Sequence, residues 1–234
     1  MRKRNVSQKR LAHLPEMAFQ RLRQAILTAE LKEGERVRET KLAREWNMGI
    51  TPMREAVRRM AELGYLVLRP NHAPIVRKLS AEDIRQIYVL RELLECHALK
   101  SAWKTIKKQD FRPFEEMVKL IETTTDPKVK LQAQFDLDTA LHQLWISQCD
   151  NVWLSSTLER LLIYRPNIMN LVSSSREFVA QAYAEHKGIL KALQEGRYAQ
   201  ARNLLGQHIR KSGAALVALT ESSATAAAQS LEAK

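Results

Sequence analysis

From Arg38 to Gly64 the chain reads R-E-T-K-L-A-R-E-W-N-M-G-I-T-P-M-R-E-A-V-R-R-M-A-E-L-G. Leu42, Ala43 and Trp46 recur at helical spacing on a short segment that ends at Asn47-Met48-Gly49. A second helix is predicted to restart at Thr51-Pro52, with Thr51 as N-cap and Pro52 in the first turn. Along it Ala56, Val57, Met60 and Leu63 form an apolar stripe, while Arg54 and Arg58, four apart, share another face. Two short helices joined by a tight turn, the second opening with exposed polar groups and Arg, are what a helix-turn-helix needs to enter a major groove. Tyr65 to Arg69, the turn Pro70-Asn71-His72-Ala73-Pro74 and then Ile75-Val76-Arg77 carry a β-hairpin signal, the wing of a winged helix. The plainer reading of the second helix alone is a charged amphipathic surface helix. The order helix, turn, helix, hairpin favours the winged helix.

Charge supports that placement. The 234 residues carry a net charge of +12. Residues 1–78 hold 18 Lys+Arg against 8 Asp+Glu (+10), and residues 79–234 hold 20 against 18 (+2). A basic first third on a near-neutral remainder is the footprint of one nucleic-acid-binding domain. No apolar run approaches the ~18 residues of a membrane span, and no apolar segment follows the basic start, so a cytoplasmic protein is expected. Cys96 and Cys149 form no disulfide framework and read as small hydrophobes.

Outward from the centre, Met1 to Leu14 is a basic arm, either a solvated tail or a phosphate or minor-groove contact. Pro15 to Ala29 places Ala18, Phe19, Leu22, Ala25 and Ile26 on one face of a buttressing helix. A domain boundary is expected just before Ser80, which begins a capping signal, Ser80-Ala81-Glu82-Asp83. Residues 79–219 then read as an all-helical bundle of about six helices, with breaks near Lys107, Asp126-Pro127, Asp150-Asn151, Ser173 and Glu195-Gly196. Pro166 falls inside a helical pattern and predicts a kink. Thr220 to Lys234, small and polar, is expected to fray as a flexible tail.

In the bundle, Asp138 and His142 are four apart and share a helix face. His186 lies ten residues before Gly196 and His208 twelve after it. If Gly196 turns a helical hairpin, a rise of ~1.5 Å per residue puts the two imidazoles at nearly one level. The four side chains then converge either as a ligand set for a divalent ion or as satisfied core polar residues. Spacing alone leaves both open. His13, His72 and His97 stand outside this set, since neighbours such as Cys96 and His97 on a helix face different ways.

The stretch E-L-K-E-G-E-R-V-R-E-T-K-L-A, then T-P-M-R-E-A-V-R-R-M and L-G-Y-L, resembles the winged-helix domain of GntR-type bacterial transcriptional regulators over about residues 15–78. Three positions depart from that pattern. Gly49-Ile50 stand where such regulators usually carry Ser-Arg, Thr40 stands where an Arg is frequent, and Ala73 stands where the wing tip usually has Gly. The DNA-facing set that the resemblance implies is Arg38, Thr40, Thr51, Arg54, Arg58 and His72. Residues 80–219 resemble the FCD effector domain of the FadR-like branch, through Ile87-Tyr88-Val89-Leu90-Arg91-Glu92-Leu93-Leu94-Glu95, the D-x-x-x-H pair, Asn151, Glu185-His186 and His208. The resemblance implies that Asp138, His142, His186 and His208 hold a divalent metal (Zn²⁺, Ni²⁺ or Mn²⁺) at the floor of a ligand cavity. It also implies that Arg91 points toward that cavity. The alternative for Arg91 is a surface salt bridge with Glu95 at i+4.

The expected protein is therefore a cytoplasmic, homodimeric, ligand-responsive regulator on a palindromic double-stranded DNA operator, sensing a small organic acid, with no membrane partner and no catalytic residues. A metal-dependent hydrolase or lyase is the alternative, because an open His/Asp site can activate water. A second alternative is an effector-free regulator whose metal or polar cluster only holds the bundle together.

Overall fold

A computed structural model describes residues 3–28, 30–162, 172–173 and 175–232. The chain divides into two compact units, Met1–Lys78 and Leu79–Lys234. Its architecture is mainly α-helical: a winged helix-turn-helix with a small two-stranded sheet, then a helical bundle.

The first unit contains α1 (Lys3–Leu27), α2 (Glu39–Glu45), α3 (Ile50–Glu62), β1 (Leu66–Val67) and β2 (Ile75–Val76). Its core is written in the periodicity: Ala18, Phe19, Leu22, Ala25 and Ile26 of α1 are buried, together with Met53, Ala56, Val57 and Met60 of α3. Asn47, in the left-handed region (φ 51°), ends α2 and turns the chain toward α3, a conformation that Asn tolerates through local hydrogen bonding. The wing strands pair antiparallel, Leu66 opposite Val76 and Val67 opposite Ile75. They are shorter than the alternating run implies, and Arg36 adds a bridge to Ile75.

Here the structure adds to or alters three expectations. The helix cap is Gly49 rather than Thr51, so α3 opens at Ile50 and Thr51 is its second residue. A Cβ at position 49 would stand 3.2 Å from the Pro52 Cδ, a tight contact that glycine avoids, and with glycine there no side-chain cap forms. The basic arm is helical from Lys3 and continuous with the buttressing helix through Pro15. The ring removes one backbone hydrogen bond there, and the helix-forming Lys, Arg, Gln, Leu and Ala on either side carry the backbone past it. At the other end the chain stays helical to Glu232 instead of fraying after Thr220. Alanine is the strongest helix former, and the Ala226-Ala227-Ala228 run offsets the polar residues around it.

The second unit contains α4 (Ala81–Ala102), a 3-10 turn (Lys108–Phe111), α5 (Arg112–Thr123), α6 (Pro127–Ser147), α7 (Val152–Leu162), α8 (Arg176–Gln194) and α9 (Tyr198–Glu232). Ser80 caps α4 with the reciprocal Ser80–Asp83 bonds that the sequence signals. Asp126 caps α6 ahead of Pro127, and Ser175 caps α8. Gly196 (φ 70°) turns α8 into α9, a conformation that favours glycine. Gly213 lets α9 approach α4 closely, because a Cβ there would meet Tyr88 Cβ at 2.8 Å. The kink expected at Pro166 lies outside the described residues. No helix among the described residues is long and apolar enough to cross a membrane.

Candidate functional site

Asp138 and His142 lie one turn apart on α6, His186 on α8 and His208 on α9, so three helices bring four polar side chains to one point. One potential ligand atom from each lies within 4.8 Å of the others. His142 is 0 % exposed, His186 2 % and His208 3 %, while Asp138 is half-buried. His186 Nε2 stands 3.1 Å from His208 Nε2 and 3.1 Å from Asp138 Oδ1, and His142 Nε2 stands 3.6 Å from the same carboxylate oxygen. A tetrahedron of ligands about 2.0 Å from an ion has edges of about 3.3 Å. The observed separations bracket that value.

The far sides of the rings are taken. His142 Nδ1 bonds Glu95 Oε2 on α4, which also accepts from Trp145 Nε1 at 3.4 Å. His208 Nδ1 bonds Glu185 Oε2 at 2.9 Å. These acceptors place each proton on Nδ1 and leave each Nε2 lone pair aimed at the cluster, the arrangement in which carboxylates orient metal-binding histidines. His142 Nε2 is buried and has no hydrogen-bond partner among the described residues. A buried, unsatisfied imidazole nitrogen is costly in an apolar core and useful in a ligand set. The donor set therefore fits a divalent ion: three imidazole nitrogens and one carboxylate, in the neutral-plus-anionic mix that Zn²⁺, Ni²⁺ or Mn²⁺ accept.

Protonation follows the same logic. Burial pushes the His142 imidazole below its ordinary pKa, although the Glu95 carboxylate opposes the shift. Burial, joined by the neighbouring His186, lowers His208 to about 4. Burial raises the Glu185 carboxyl, but hydrogen bonds from His208, Gln181 and Lys211 outweigh that and bring it to about 2. Neutral imidazoles beside ionised carboxylates are the state a metal requires.

Arg91 needs a correction. Its pairing with Glu95 is no surface salt bridge: Nε donates to Glu95 Oε1 at 2.9 Å with Arg91 5 % and Glu95 0 % exposed. The guanidinium stacks 4.7 Å from the Tyr88 ring centre. Burial works against its charge, but Glu95 outweighs this and raises its pKa. Arg91, Glu95 and His142 thus form one buried chain from α4 to the cluster. Reasoning from the sequence missed Glu95 and Glu185 as orienting groups. The adjacency Glu185-His186 and the i,i+4 pair Arg91/Glu95 were the available signals.

In the first unit, Arg38 is the exposed residue before α2, and Thr40 lies exposed in its first turn. Thr51, Arg54 and Arg58 are exposed along α3. Glu39 Oε2 lies 3.5 Å from Arg54 Nε, which brings the start of α2 beside α3. Arg58 pairs loosely with Glu62 at 3.8 Å. His72, exposed in the wing turn, has Nδ1 2.7 Å from the Pro70 carbonyl. His97 is exposed and lines a separate open cavity of about 450 Å³ with Cys96, Lys100 and Arg202, away from the histidine cluster.

Residues 14–76 match the bacterial regulatory proteins of the gntR family, and residues 86–211, more than half the chain, match the FCD domain. The chain belongs to the GntR family of DNA-binding transcriptional regulators, with an FCD effector domain. It is 24 % identical over 192 residues to the HTH-type transcriptional repressor RspR of Escherichia coli K12, covering 81 % of this chain and 83 % of that one. Its fold is similar to that of a GntR protein of Rhodococcus sp. RHA1 (TM-score 0.71, 18 % identity, 87 % of this chain and 97 % of that one). It is also similar to E. coli McbR/YncC (TM-score 0.68, 20 % identity, 87 % and 96 %). The family is one of regulators, not of enzymes, and FCD domains are often metal-binding.

Proposed function

We propose that the protein binds a palindromic operator as a homodimer and senses a small carboxylate through a divalent ion held by Asp138, His142, His186 and His208. The observation that carries this reading is the convergence of one potential ligand atom each from Asp138, His142, His186 and His208 within 4.8 Å of one another, while Glu95 and Glu185 occupy Nδ1 of His142 and His208. A bound ion would supply a Lewis-acidic position for an effector carboxylate. Glu95 and Glu185 fix the ring orientations, and Asp138 offsets part of the positive charge. Arg91, through Glu95, ties the cluster to α4, the first helix after the winged-helix unit.

On the DNA side, α3 enters the major groove with Arg54 and Arg58 toward the duplex. The free amides at its first turn, around Ile50 and Thr51, face phosphate. Arg38, Thr40 and His72 flank that surface from α2 and the wing. Two half-sites read by two copies double the contacts. An effector that prefers one arrangement of the dimer shifts operator affinity by its differential binding, typically 1–3 kcal/mol.

Mobility shifts on operator DNA, with and without chelator and carboxylate, test the reading. Metal-loaded protein should change its operator affinity when a carboxylate is added, and chelated protein should not. Light scattering at micromolar concentration should give a dimer. A monomer with and without DNA, or operator binding indifferent to metal and every acid, would contradict the proposal.

A further inference from the structure

A helix that docks in the major groove meets base edges through the side chains of its first turns. In α3 the first turn carries little hydrogen-bonding capacity. Gly49, the cap, has no side chain; Ile50, Thr51 and Pro52 follow, and the first charged group is Arg54. The core face of the helix is Met53, Ala56, Val57 and Met60, all buried. With about 100° between successive residues, Thr51 points away from that face, and it is exposed. Ile50 stands on the flank, one turn before the exposed Arg54, and is half-buried rather than part of the core. Helical side chains lean toward the N-terminus, so Ile50 and Thr51 reach toward the tip of α3 and not back along it. The amides of the same turn point along the helix axis, so a phosphate bound there leaves these side chains free to meet bases.

An aliphatic side chain separates the four bases in one way. Guanine, adenine and cytosine show the major groove only hydrogen-bonding groups at their edges, whereas thymine adds a C5 methyl. Against that methyl, Ile50 buries apolar surface. Against the other edges it would strip water from donors and acceptors without replacing their hydrogen bonds, which is costly. The Thr51 methyl extends the same surface, and its hydroxyl suits any base. We propose that Ile50, with the Thr51 methyl beside it, selects a thymine in each operator half-site through the thymine C5 methyl. The inference rests on the reading of α3 as the helix in the major groove and adds to it the base that the first turn specifies.

The test begins with the full-length protein selecting sites from a pool of random-sequence duplexes. The selected half-site is then titrated with each thymine replaced in turn by uracil, which lacks only the C5 methyl. One thymine should be sensitive. Its replacement should weaken binding about fourfold, the worth of one buried methyl-sized group, and about fifteenfold when both half-sites are changed. Ile50→Ala should bind the thymine and uracil sites nearly equally at that position. Ile50→Arg should select guanine there, because Arg pairs with guanine O6 and N7. The uracil series uses the unaltered protein, so it stands even if a substitution disturbs folding. Selected sites that tolerate every uracil or contain no thymine would overturn the methyl reading and leave operator binding by α3 standing. A sensitive thymine whose response persists in folded Ile50→Ala, or an unchanged selection by folded Ile50→Arg, would do the same. A protein that enriches no sequence from the pool would overturn the docking of α3 in the groove, and this inference with it.

Discussion

The two units place their charged groups in opposite settings. On α3 the arginines stand in water: Arg54 and Arg58 are exposed, and their carboxylate neighbours lie at 3.5 and 3.8 Å, longer than hydrogen bonds. In the bundle, Arg91, Glu95 and three histidines are buried, and bonded carboxylates orient two of the rings from behind. Loose exposed pairs cost little to break, so α3 can exchange Glu39 and Glu62 for phosphates or base edges. Buried pairs cost a great deal to break, so the cluster stays preorganised for one ligand geometry. The first design suits a surface that must slide along DNA and then dock. The second suits selective recognition of a small ligand.

The contrast is broken most severely at Glu95. Glu95→Ala removes the buried partner of Arg91 and the acceptor for His142 together, and should destabilise the helical unit by about 3–5 kcal/mol in urea unfolding. A loss below about 1 kcal/mol would mean that the buried chain is not structural.

Acid comes next. The His208 pKa, about 4 in the folded protein, lies below its ordinary 6.5, so the unfolded chain takes up the proton first as pH falls. The stability difference is fully present above pH 6.5 and drains away toward pH 4; Glu185, at about 2 against 4.5, continues the loss from pH 4.5 down to about 2. Chelated protein should lose roughly 2 kcal/mol between pH 7 and pH 5. A flat profile over that range would contradict a buried neutral His208.

The exposed side should respond on DNA and not on stability. Arg54→Ala should weaken operator binding by about 1–3 kcal/mol if it makes a bidentate base contact. If it meets phosphate only, the loss should be equal on all sequences, with a shallower salt dependence. No loss on any DNA would end the docking geometry. The smallest effect belongs to Arg58→Ala, which should change folding stability by under about 0.5 kcal/mol, since an exposed i,i+4 pair contributes little. A larger loss would show that the α3 pairs are structural after all.

Much of this was legible because helical periodicity and turn chemistry are local. The T-P-M-R-E-A-V-R-R-M run, the Ser80–Asp83 cap and the similar spacing of His186 and His208 on either side of Gly196 need only residues per turn to interpret. The start of α3 was not legible, because Thr51 has the better capping side chain while the observed cap, Gly49, has no side chain to signal it. Arg91/Glu95 spacing places two side chains on one face but does not say whether that face meets water or the core. Glu95 reaches His142 across 47 residues of sequence, a distance over which no periodicity carries information. The C-terminal segment was read as fraying, although its backbone is helical to Glu232, because its composition permits both coil and helix.

The most direct test of the central claim is the metal itself. Protein purified without chelator should carry one divalent ion per chain by elemental analysis, or take up one Zn²⁺, Ni²⁺ or Mn²⁺ per chain in calorimetric titration. His142→Ala and His208→Ala should each abolish that uptake while far-UV circular dichroism still reports a folded helical protein. Absence of metal from the purified protein together with no uptake of any of the three ions would contradict the account, and the four side chains would then be core polar residues.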